Sequence, residues 1–419
     1  MKKKIFVFIP HQDDEVNLIG NCSTFLKEYF DITVIFVCSE KNKSKRKIRR
    51  QEAIKSCSIL GISKVLFLDF EDTSFDEPRH LFMTKEGKRR IIRKLERLLL
   101  EFEPEIVMCN DFDCHPDHRM LSIAMDEVIR ELIFQKEYRP IYLKGFCYST
   151  AYYGVEDYTV KGDNRTKIST EDAENLQYDW EKRISIGSSD LVLRINKRKA
   201  FKALSCHKSQ YAILHSKSVI NDDNVFWQIR TDNICINAKI YASSGDVTKL
   251  NDLKTIDTND LLKKEYKEVS FEKSLWKPSE KEDLSEIRIV LKKETVYSIV
   301  IHGDPRIKKK YDVNVDIIIG DTEWQIRQLN GNSIGTEVII DQSNVTEIKI
   351  KTNVGFSELE ILPEKDQIIN LPSYSWIKKK KGNLFLQLVE IFNLVYLNLV
   401  FFLTRVFRKI KKFKRKDDG

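Results

Sequence analysis

Two short segments of this sequence combine imidazole and carboxylate side chains at close spacing. One is residues 10–15 (PHQDDE) and the other is residues 115–118 (HPDH). Neutral imidazole and carboxylate are ordinary zinc ligands, and a catalytic zinc keeps three protein ligands and one water. Two adjacent aspartates can divide the work, since one can bind the metal while the other accepts a proton from the water. The residue types therefore indicate hydrolysis assisted by a divalent metal ion.

The elements before these segments predict that the two meet in space. The apolar run 4–9 leads directly into the first segment, and the run 105–109 ends shortly before the second. Alone, the first segment would more often be a solvated turn or a helix cap than a site, and the second is similarly ambiguous. In the common strand order 3-2-1-4-5, however, the first and fourth strands are neighbours that flank the ligand-binding crevice. Found together at two such strand ends, the segments indicate one site.

The first 150 residues or so alternate short apolar runs with helical patterns. The clearest helical pattern covers residues 87–102, and Pro104 ends it. This alternation predicts an α/β fold with a doubly wound parallel sheet. Residues 151–198 are expected to form loops near the site, and residues 198–208 a helix. The predicted strands are residues 4–9, 32–38, 64–68, 105–109 and 141–148.

The pattern changes after about residue 225, where apolar residues alternate with polar ones at a period of two. Turn residues separate many of these runs, and no helical pattern lies between them, which predicts an all-β sandwich of the jelly-roll type. We therefore divide the chain into residues 1–238, 239–365 and 366–419. The predicted strands of the middle part are residues 287–291, 296–301, 313–319, 336–340, 345–351 and 356–362.

The two site segments resemble the motifs of the LmbE-like, or PIG-L, family of zinc-dependent N-acetylglucosaminyl deacetylases. Weaker similarities are R-x-x-E at residues 49–52 and A-x-x-x-H-x-S-Q at residues 203–210. The resemblance covers about residues 1–240 and implies a Rossmann-like fold. More loosely, residues 348–361 resemble galactose-binding or discoidin-like jelly rolls, for which a structural role and a sugar-binding role both stay open. Two tryptophans of this part, Trp276 and Trp324, are either stacking platforms or core residues.

Carried over position by position, the resemblance implies roles for five side chains. His11, Asp14 and His118 match the zinc ligands. Asp13 matches the general base, and His115 matches the general acid or oxyanion stabiliser.

Other positions carry weaker implications. Asp117 is expected to orient a neighbouring histidine, as carboxylates around metal ligands do. Arg49 resembles a substrate contact, although its basic run could equally be a solvated helix start. His207 is interpreted as a core histidine bonded to backbone. The sequence departs from the family at Gln12, where proline is usual, and at Asp113, where some members have a tyrosine.

The charge distribution and the cysteines indicate the kind of binding partner and the cellular compartment. The 419 residues carry a formal net charge of +8, concentrated at residues 41–50, 378–381 and 405–416. Such runs indicate phosphate-bearing partners or anionic lipid, and we expect a membrane surface rather than nucleic acid. Eight cysteines without a C-x-x-C pair indicate buried thiols in a reducing, cytoplasmic compartment. The apolar run 5–9 is too short for a signal peptide.

The C-terminal segment 384–407 is apolar, and basic residues flank it on both sides. It is long enough to span a bilayer, but Glu390 and two asparagines interrupt it. We expect an amphipathic helix that lies in the plane of the membrane surface. A spanning helix and a helix packed on protein remain as alternatives.

The function expected from sequence is the hydrolysis of the acetamide of an N-acetylglucosamine-type sugar, with Zn²⁺ as cofactor. Its substrate would be a glycolipid or polysaccharide precursor, with lipid-linked sugars included. A metal-dependent phosphoesterase is one alternative, because His/Asp clusters also serve two-metal phosphate chemistry. A non-catalytic glycan-binding or scaffold protein is the other.

Overall fold

A computed structural model describes most of the chain through residue 367. The described residues are 2–62, 64–72, 84–111, 115–145, 147, 182–187, 199–210, 212, 223–253, 274–332 and 334–367, with Leu399, Leu403 and Val406.

The first sheet has seven strands in the order β3-β2-β1-β4-β5-β7-β6. The first five pair in parallel, whereas β7 runs antiparallel to both β5 and β6. The five strands predicted from the sequence are parallel as expected, whereas the two strands that make this edge antiparallel were not predicted. The strands are β1 (Lys3–Ile9), β2 (Phe30–Ser39), β3 (Lys64–Glu71), β4 (Ile106–Asn110), β5 (Ile141–Gly145), β6 (Ile184–Gly187) and β7 (Asp223–Ile229).

Helices cover both faces of this sheet, because its central strands are apolar on both sides. Ile5, Val7 and Ile9 of β1 pack in one core with side chains of the first three helices. Phe6 and Phe8 point to the other face and pack with side chains of the last two. The helices are α1 (Asp14–Ile19), α2 (Ser23–Tyr29), α3 (Lys43–Leu60), α4 (Lys85–Phe102) and α5 (Pro116–Lys136).

Local sequence signals set the helix ends. The Asn42 side chain accepts from the backbone N–H groups of Ser44 and Lys45 at the start of α3. Gly61 follows that helix with φ 80°, a left-handed conformation that glycine adopts without strain. Residues 199–204 are also helical, which places the helix expected over 198–208.

The second sheet is antiparallel, with the order β11-β10-β12-β9-β13 and β8 paired to β9. The runs expected as separate strands at 287–291 and 296–301 form one strand, and those at 336–340 and 345–351 form another. Register shifts within the β9–β12 pairing mark where these long strands bend. All described strands after residue 238 join this one sheet, and the jelly-roll sandwich stays a prediction. The strands are β8 (Lys239–Ala242), β9 (Ser285–His302), β10 (Tyr311–Ile319), β11 (Thr322–Leu329), β12 (Thr336–Thr352) and β13 (Glu358–Leu362).

The segment 233–253 joins the two sheets and packs on both cores. Cys235 belongs to the core of the second sheet, while the adjacent Ile236 belongs to the core beside α4 and α5. Asn233 holds β13 in place, since its side chain accepts from the Ile361 N–H and donates to the Leu359 carbonyl. The two units therefore share a buried boundary.

Two expectations lie outside the described residues. One is the set of loops expected at 151–198, where only 182–187 are described and residues 184–187 form β6 rather than a loop. The other is the amphipathic C-terminal helix, of which only Leu399, Leu403 and Val406 are described, all helical and exposed. Among the described residues, no helix is both long and apolar enough to cross a membrane. Trp276 is fully buried in the second core, so it is a core residue rather than a stacking platform.

Candidate metal centre

The two polar segments converge at the carboxyl edge of the first sheet. Strands β1 and β4 are paired neighbours, with Phe8 opposite Cys109. The loop after β1 carries His11 and Asp13, and α5 starts beyond the end of β4. The rings of His11, His115 and His118 consequently lie 4.6–5.4 Å apart between centroids.

Asp14 lies between two of these histidines. Its Oδ2 atom is 3.2 Å from His118 Nε2 and 3.4 Å from His11 Nδ1, and it accepts the backbone N–H of His11 at 2.9 Å. Asp14 and His118 are fully buried. Although burial opposes ionisation, His118 and His11 hold the pKa of Asp14 well below its usual range. The site therefore contains a buried carboxylate that is ionised at neutral pH.

Asp117 connects the two segments from the α5 side. Its Oδ2 atom is 2.9 Å from His11 Nε2, and its backbone N–H donates to His115 Nδ1 at 3.1 Å. Burial disfavours the cationic form of His11, but Asp117 and Asp14 outweigh it and raise the pKa of His11 to about 9. The carboxylate that the sequence assigns to orienting a histidine thus contacts His11.

His115 caps the N-terminus of α5 through the same hydrogen bond from Asp117. Burial and the neighbouring His11 and His118 lower the pKa of His115 to about 2. The ring is therefore neutral. Because Nδ1 accepts a hydrogen bond, the ring proton of the neutral form resides on Nε2. His115 can donate a hydrogen bond from that atom.

Asp13 adopts an unusual backbone conformation at the tip of the loop, with φ 141°. Such conformations are costly for a residue with a side chain and persist where the surroundings impose them. Here the Asp13 N–H donates to Glu15 Oε2 at 3.0 Å. Burial and the charge of Asp14 raise the pKa of Asp13 to about 7. A carboxylate with this pKa is suited to accept a proton near neutral pH.

Glu15 contacts a residue of the weaker motif at 203–210. His207 Nε2 lies 2.6 Å from Glu15 Oε1, and both residues are almost completely buried. Nearby, Glu52 accepts from both the backbone N–H and the hydroxyl of Ser209. Residues 49–52 and 203–210 therefore contact each other and support the loop that carries Asp13.

Arg49 lies at the rim of the site rather than among the histidines. Its guanidinium is 3.5 Å from Asp72 and 3.7 Å from Glu40, with 21% of the side chain exposed. It is therefore not a freely solvated residue of the helix start. Asp113 and Cys114 lie outside the described residues, while Gln12 is buried and donates to the Cys38 carbonyl.

A buried ionic network around Lys144 lies next to the site and was not predicted from the sequence. Lys144 of β5 contacts Asp111 at 3.1 Å and both carboxylate oxygens of Asp126 at 2.8–3.0 Å. The amide of Asn110, at the end of β4, donates to the His118 carbonyl. A lysine within an apolar strand was the available signal, since lysine is almost never fully buried unless it is paired.

The chemistry of the donor set suits a divalent cation. His11, His115 and His118 offer ring nitrogens within 4.8 Å of one another, and Asp14 borders two of these rings. The Asp14 Oδ1 atom is buried and accepts no hydrogen bond from any residue that the structure describes. Since buried carboxylate oxygens normally have partners, this atom fits a ligand role. The first part of the chain is thus a mixed α/β domain whose sheet edge carries residues arranged to hold a metal ion.

A comparison with protein families identified a match to the N-terminal part of the chain. Residues 6–129 match the family described as PIG-L, GlcNAc-PI de-N-acetylase. The N-terminal part of the chain therefore carries a PIG-L-family domain. Both site segments lie within the matched residues. A comparison with curated proteins gave no match.

Solved structures similar to the chain include two deacetylases and a hydratase. The N,N'-diacetylchitobiose deacetylase from Pyrococcus horikoshii is 17% identical, with 55% of this chain and 84% of that chain covered and a TM-score of 0.34. A deacetylase of teicoplanin biosynthesis is 14% identical, with 54% and 97% covered and a TM-score of 0.39. A 4-carboxy-2-hydroxymuconate hydratase from Pseudomonas putida is 14% identical, with 55% and 96% covered and a TM-score of 0.33. At such low TM-scores, none of the three establishes the activity of this chain.

Proposed function

We propose that this protein is a zinc-dependent hydrolase that removes the acetyl group from an N-acetylglucosamine-type sugar, releasing acetate and a free amine. The observation that carries the proposal is the convergence of His11, Asp14 and His118 beside Asp13 at the carboxyl edge of the sheet. The match of residues 6–129 to a de-N-acetylase family supports the reaction class.

The proposed metal ligands are His11, Asp14 and His118. The contact between His11 Nε2 and Asp117 leaves Nδ1 of that ring for the metal, and a carboxylate in this position orients a ligand histidine. Zinc bound there would supply a water of lowered pKa and polarise the acetamide carbonyl. Among the described residues, these three ligands lie in a preorganised cluster.

Two side chains of the chain handle protons and charge in this mechanism. Asp13 accepts the proton of the attacking water and passes it toward the leaving amine, a role that a pKa of about 7 suits. His115 donates from Nε2 to the oxygen on which negative charge develops. Because its ring is neutral, His115 acts as a hydrogen-bond donor to the oxyanion rather than as a source of a full proton.

The substrate carrier and the location of the enzyme extend this proposal. Arg49 at the rim would contact the sugar or its phosphate. We propose a Rossmann-like deacetylase domain in residues 1–238, a discoidin-like sandwich in 239–365 and a membrane-associating tail in 366–419. The tail would hold the enzyme at the cytoplasmic face of the membrane, where the favoured substrate is a lipid-linked N-acetylamino sugar.

The direct test is mass spectrometry on a panel of free, nucleotide-linked and lipid-linked N-acetylglucosamine substrates. Conversion should appear as the mass loss of acetyl replaced by hydrogen, together with released acetate. Asp13→Asn should abolish turnover while the protein still binds one zinc. Asp31→Asn, at an exposed position that pairs with Lys64, is the matched control and should keep full activity. Normal activity in Asp13→Asn would overturn the mechanism, and no conversion of any panel member would overturn the reaction.

A further inference from the structure

A buried thiol borders the proposed metal centre on the β5 side. Cys147 follows the end of β5 and is 1% exposed. Its Sγ atom, a carboxylate oxygen of Asp14 and a ring nitrogen of His118 all lie within 4.8 Å of one another. Two of the three proposed zinc ligands are therefore within reach of a cysteine that the family motifs do not include.

Packing alone accounts for a buried cysteine, which commonly behaves as a small apolar residue. Cys147 does pack in the core that contains Leu143 and Phe226. What distinguishes it is the carboxylate beside it. Asp14 Oδ2 faces His11 and His118, whereas the equally buried Oδ1 has no hydrogen-bond donor among the described residues. A carboxylate, an imidazole and a thiol thus meet beside a carboxylate oxygen, Asp14 Oδ1, that accepts no hydrogen bond from a described residue.

We propose that Cys147 is a metal ligand of this chain, and that a zinc-class ion binds its thiolate together with Asp14 and His118. This set shares two residues with the catalytic set of the proposed function, on which it rests, and it uses Cys147 in place of His11. Binding breaks the S–H bond and forms a sulfur–metal bond, and the proton leaves to the solvent.

The thiolate changes which ions the centre selects. Soft sulfur ligands favour zinc and cobalt, whereas sites of oxygen ligands suit magnesium and manganese. A centre that can use Cys147 therefore retains zinc-class ions against the harder divalent cations.

Cobalt spectroscopy tests this ligand directly. Full-length protein is stripped of metal and titrated with Co²⁺ alone. The wild-type protein should show visible d–d bands together with a near-ultraviolet sulfur-to-cobalt charge-transfer band. Cys147→Ser should lose the charge-transfer band but keep d–d bands, and its zinc affinity should fall about 10–100-fold, the range seen even for groups beyond the direct ligands. Cys109→Ser, at a fully buried thiol of β4, is the control and should keep the band.

Two outcomes would overturn the ligand assignment. One is the absence of a charge-transfer band from wild-type protein that binds cobalt, and the other is a band that survives in Cys147→Ser. If the serine variant does not fold, Cys147→Ala replaces it, because alanine places no unpaired hydroxyl in the core. Loss of this assignment with acetate release intact leaves the proposed function standing. Failure to release acetate by protein that shows the band contradicts only the proposed function.

Discussion

At the scale of single residues, the loop that carries Asp13 depends on a buried ion pair rather than on local backbone preference. Glu15 accepts the Asp13 N–H with one oxygen and contacts His207 with the other. Burial disfavours the cationic form of His207, but Glu15 raises its pKa above the ordinary value. The expectation that His207 is a core histidine bonded to backbone was wrong in its partner, because its Nε2 bonds a carboxylate.

Replacing His207 should therefore destabilise the whole domain. His207→Ala leaves the Glu15 carboxylate buried without its cation, which costs about 3–5 kcal/mol for a buried pair. Urea unfolding measures this loss. The double variant with Glu15→Gln should recover part of it, giving a clear coupling energy in the double-mutant cycle. Strictly additive effects of the two substitutions would contradict the ion pair.

Glu358 should make the stability of the second unit depend on pH. This residue of β13 is 2% exposed, and burial together with the charges of Asp252 and Glu360 raises its pKa well above the usual range. The folded chain thus binds this proton more tightly than the unfolded chain. Its contribution to stability is full below the unfolded pKa and is lost as pH rises through the folded pKa.

The amide of Glu358→Gln carries no charge at any of these pH values. The variant should therefore be more stable than the wild type above the folded pKa, and its unfolding free energy should change less with pH. Urea unfolding at a series of pH values measures both effects. Glu323→Gln, at an exposed position of β11, should leave the wild-type pH dependence unchanged. Parallel curves for Glu358→Gln and the wild type would rule out the raised pKa.

At the scale of elements, one lysine ties β4, β5 and α5 together below the metal centre. Lys144→Met would leave Asp111 and Asp126 buried without their cation, at a cost of about 3–5 kcal/mol. Asn110, at the end of β4, donates to the His118 carbonyl, so a displaced β4 would also displace His118. Zinc affinity should therefore fall as well, by about 10–100-fold.

Urea unfolding and a competitive zinc titration check the two consequences of Lys144→Met separately. Lys94→Met, on the exposed side of α4, is the matched control and should change neither quantity. Asp126→Asn in the Lys144→Met background should restore part of the stability, because it removes one of the stranded charges. Unchanged stability in Lys144→Met would show that the network does not hold the three elements.

Strands and helices were predictable where one hydrophobic periodicity extends over the whole element. The apolar runs of β1 and β4 and the helical stripe of α4 lie where the sequence predicts them, within two residues at either end. The adjacency of β1 and β4 followed from the common strand order, and it brings the two polar segments together. The continuity of β9 and β12 was missed, because a bulge breaks the period of two without ending the strand. The ionic network around Lys144 joins residues distant in sequence, which no local pattern reveals.

At the scale of the whole molecule, the tail of residues 366–419 allows a test of the proposed attachment to a membrane. Deleting residues 378–419 should give a protein that still deacetylates small soluble substrates but no longer pellets with anionic liposomes at low salt. Loss of the apolar segment 384–407 removes the surface that the proposed anchor buries in the bilayer, and loss of the basic flanks removes the attraction to lipid headgroups. Replacing Lys378–Lys381 by glutamine should weaken pelleting only partly. Full-length protein that stays in the supernatant would refute the anchor.

The shared boundary at residues 233–253 has a consequence for how the chain is made. Asn233 cannot form its hydrogen bonds to the Ile361 N–H and the Leu359 carbonyl until these residues have been synthesised, more than a hundred residues later. At ordinary elongation rates that interval is on the order of ten seconds. During it, Ile236 and its neighbours can dock on the first core while Cys235 has no second core to enter. The nascent chain therefore exposes apolar side chains at residues 233–253 that the second core would cover. Chaperone binding should be concentrated at this segment until β13 is synthesised.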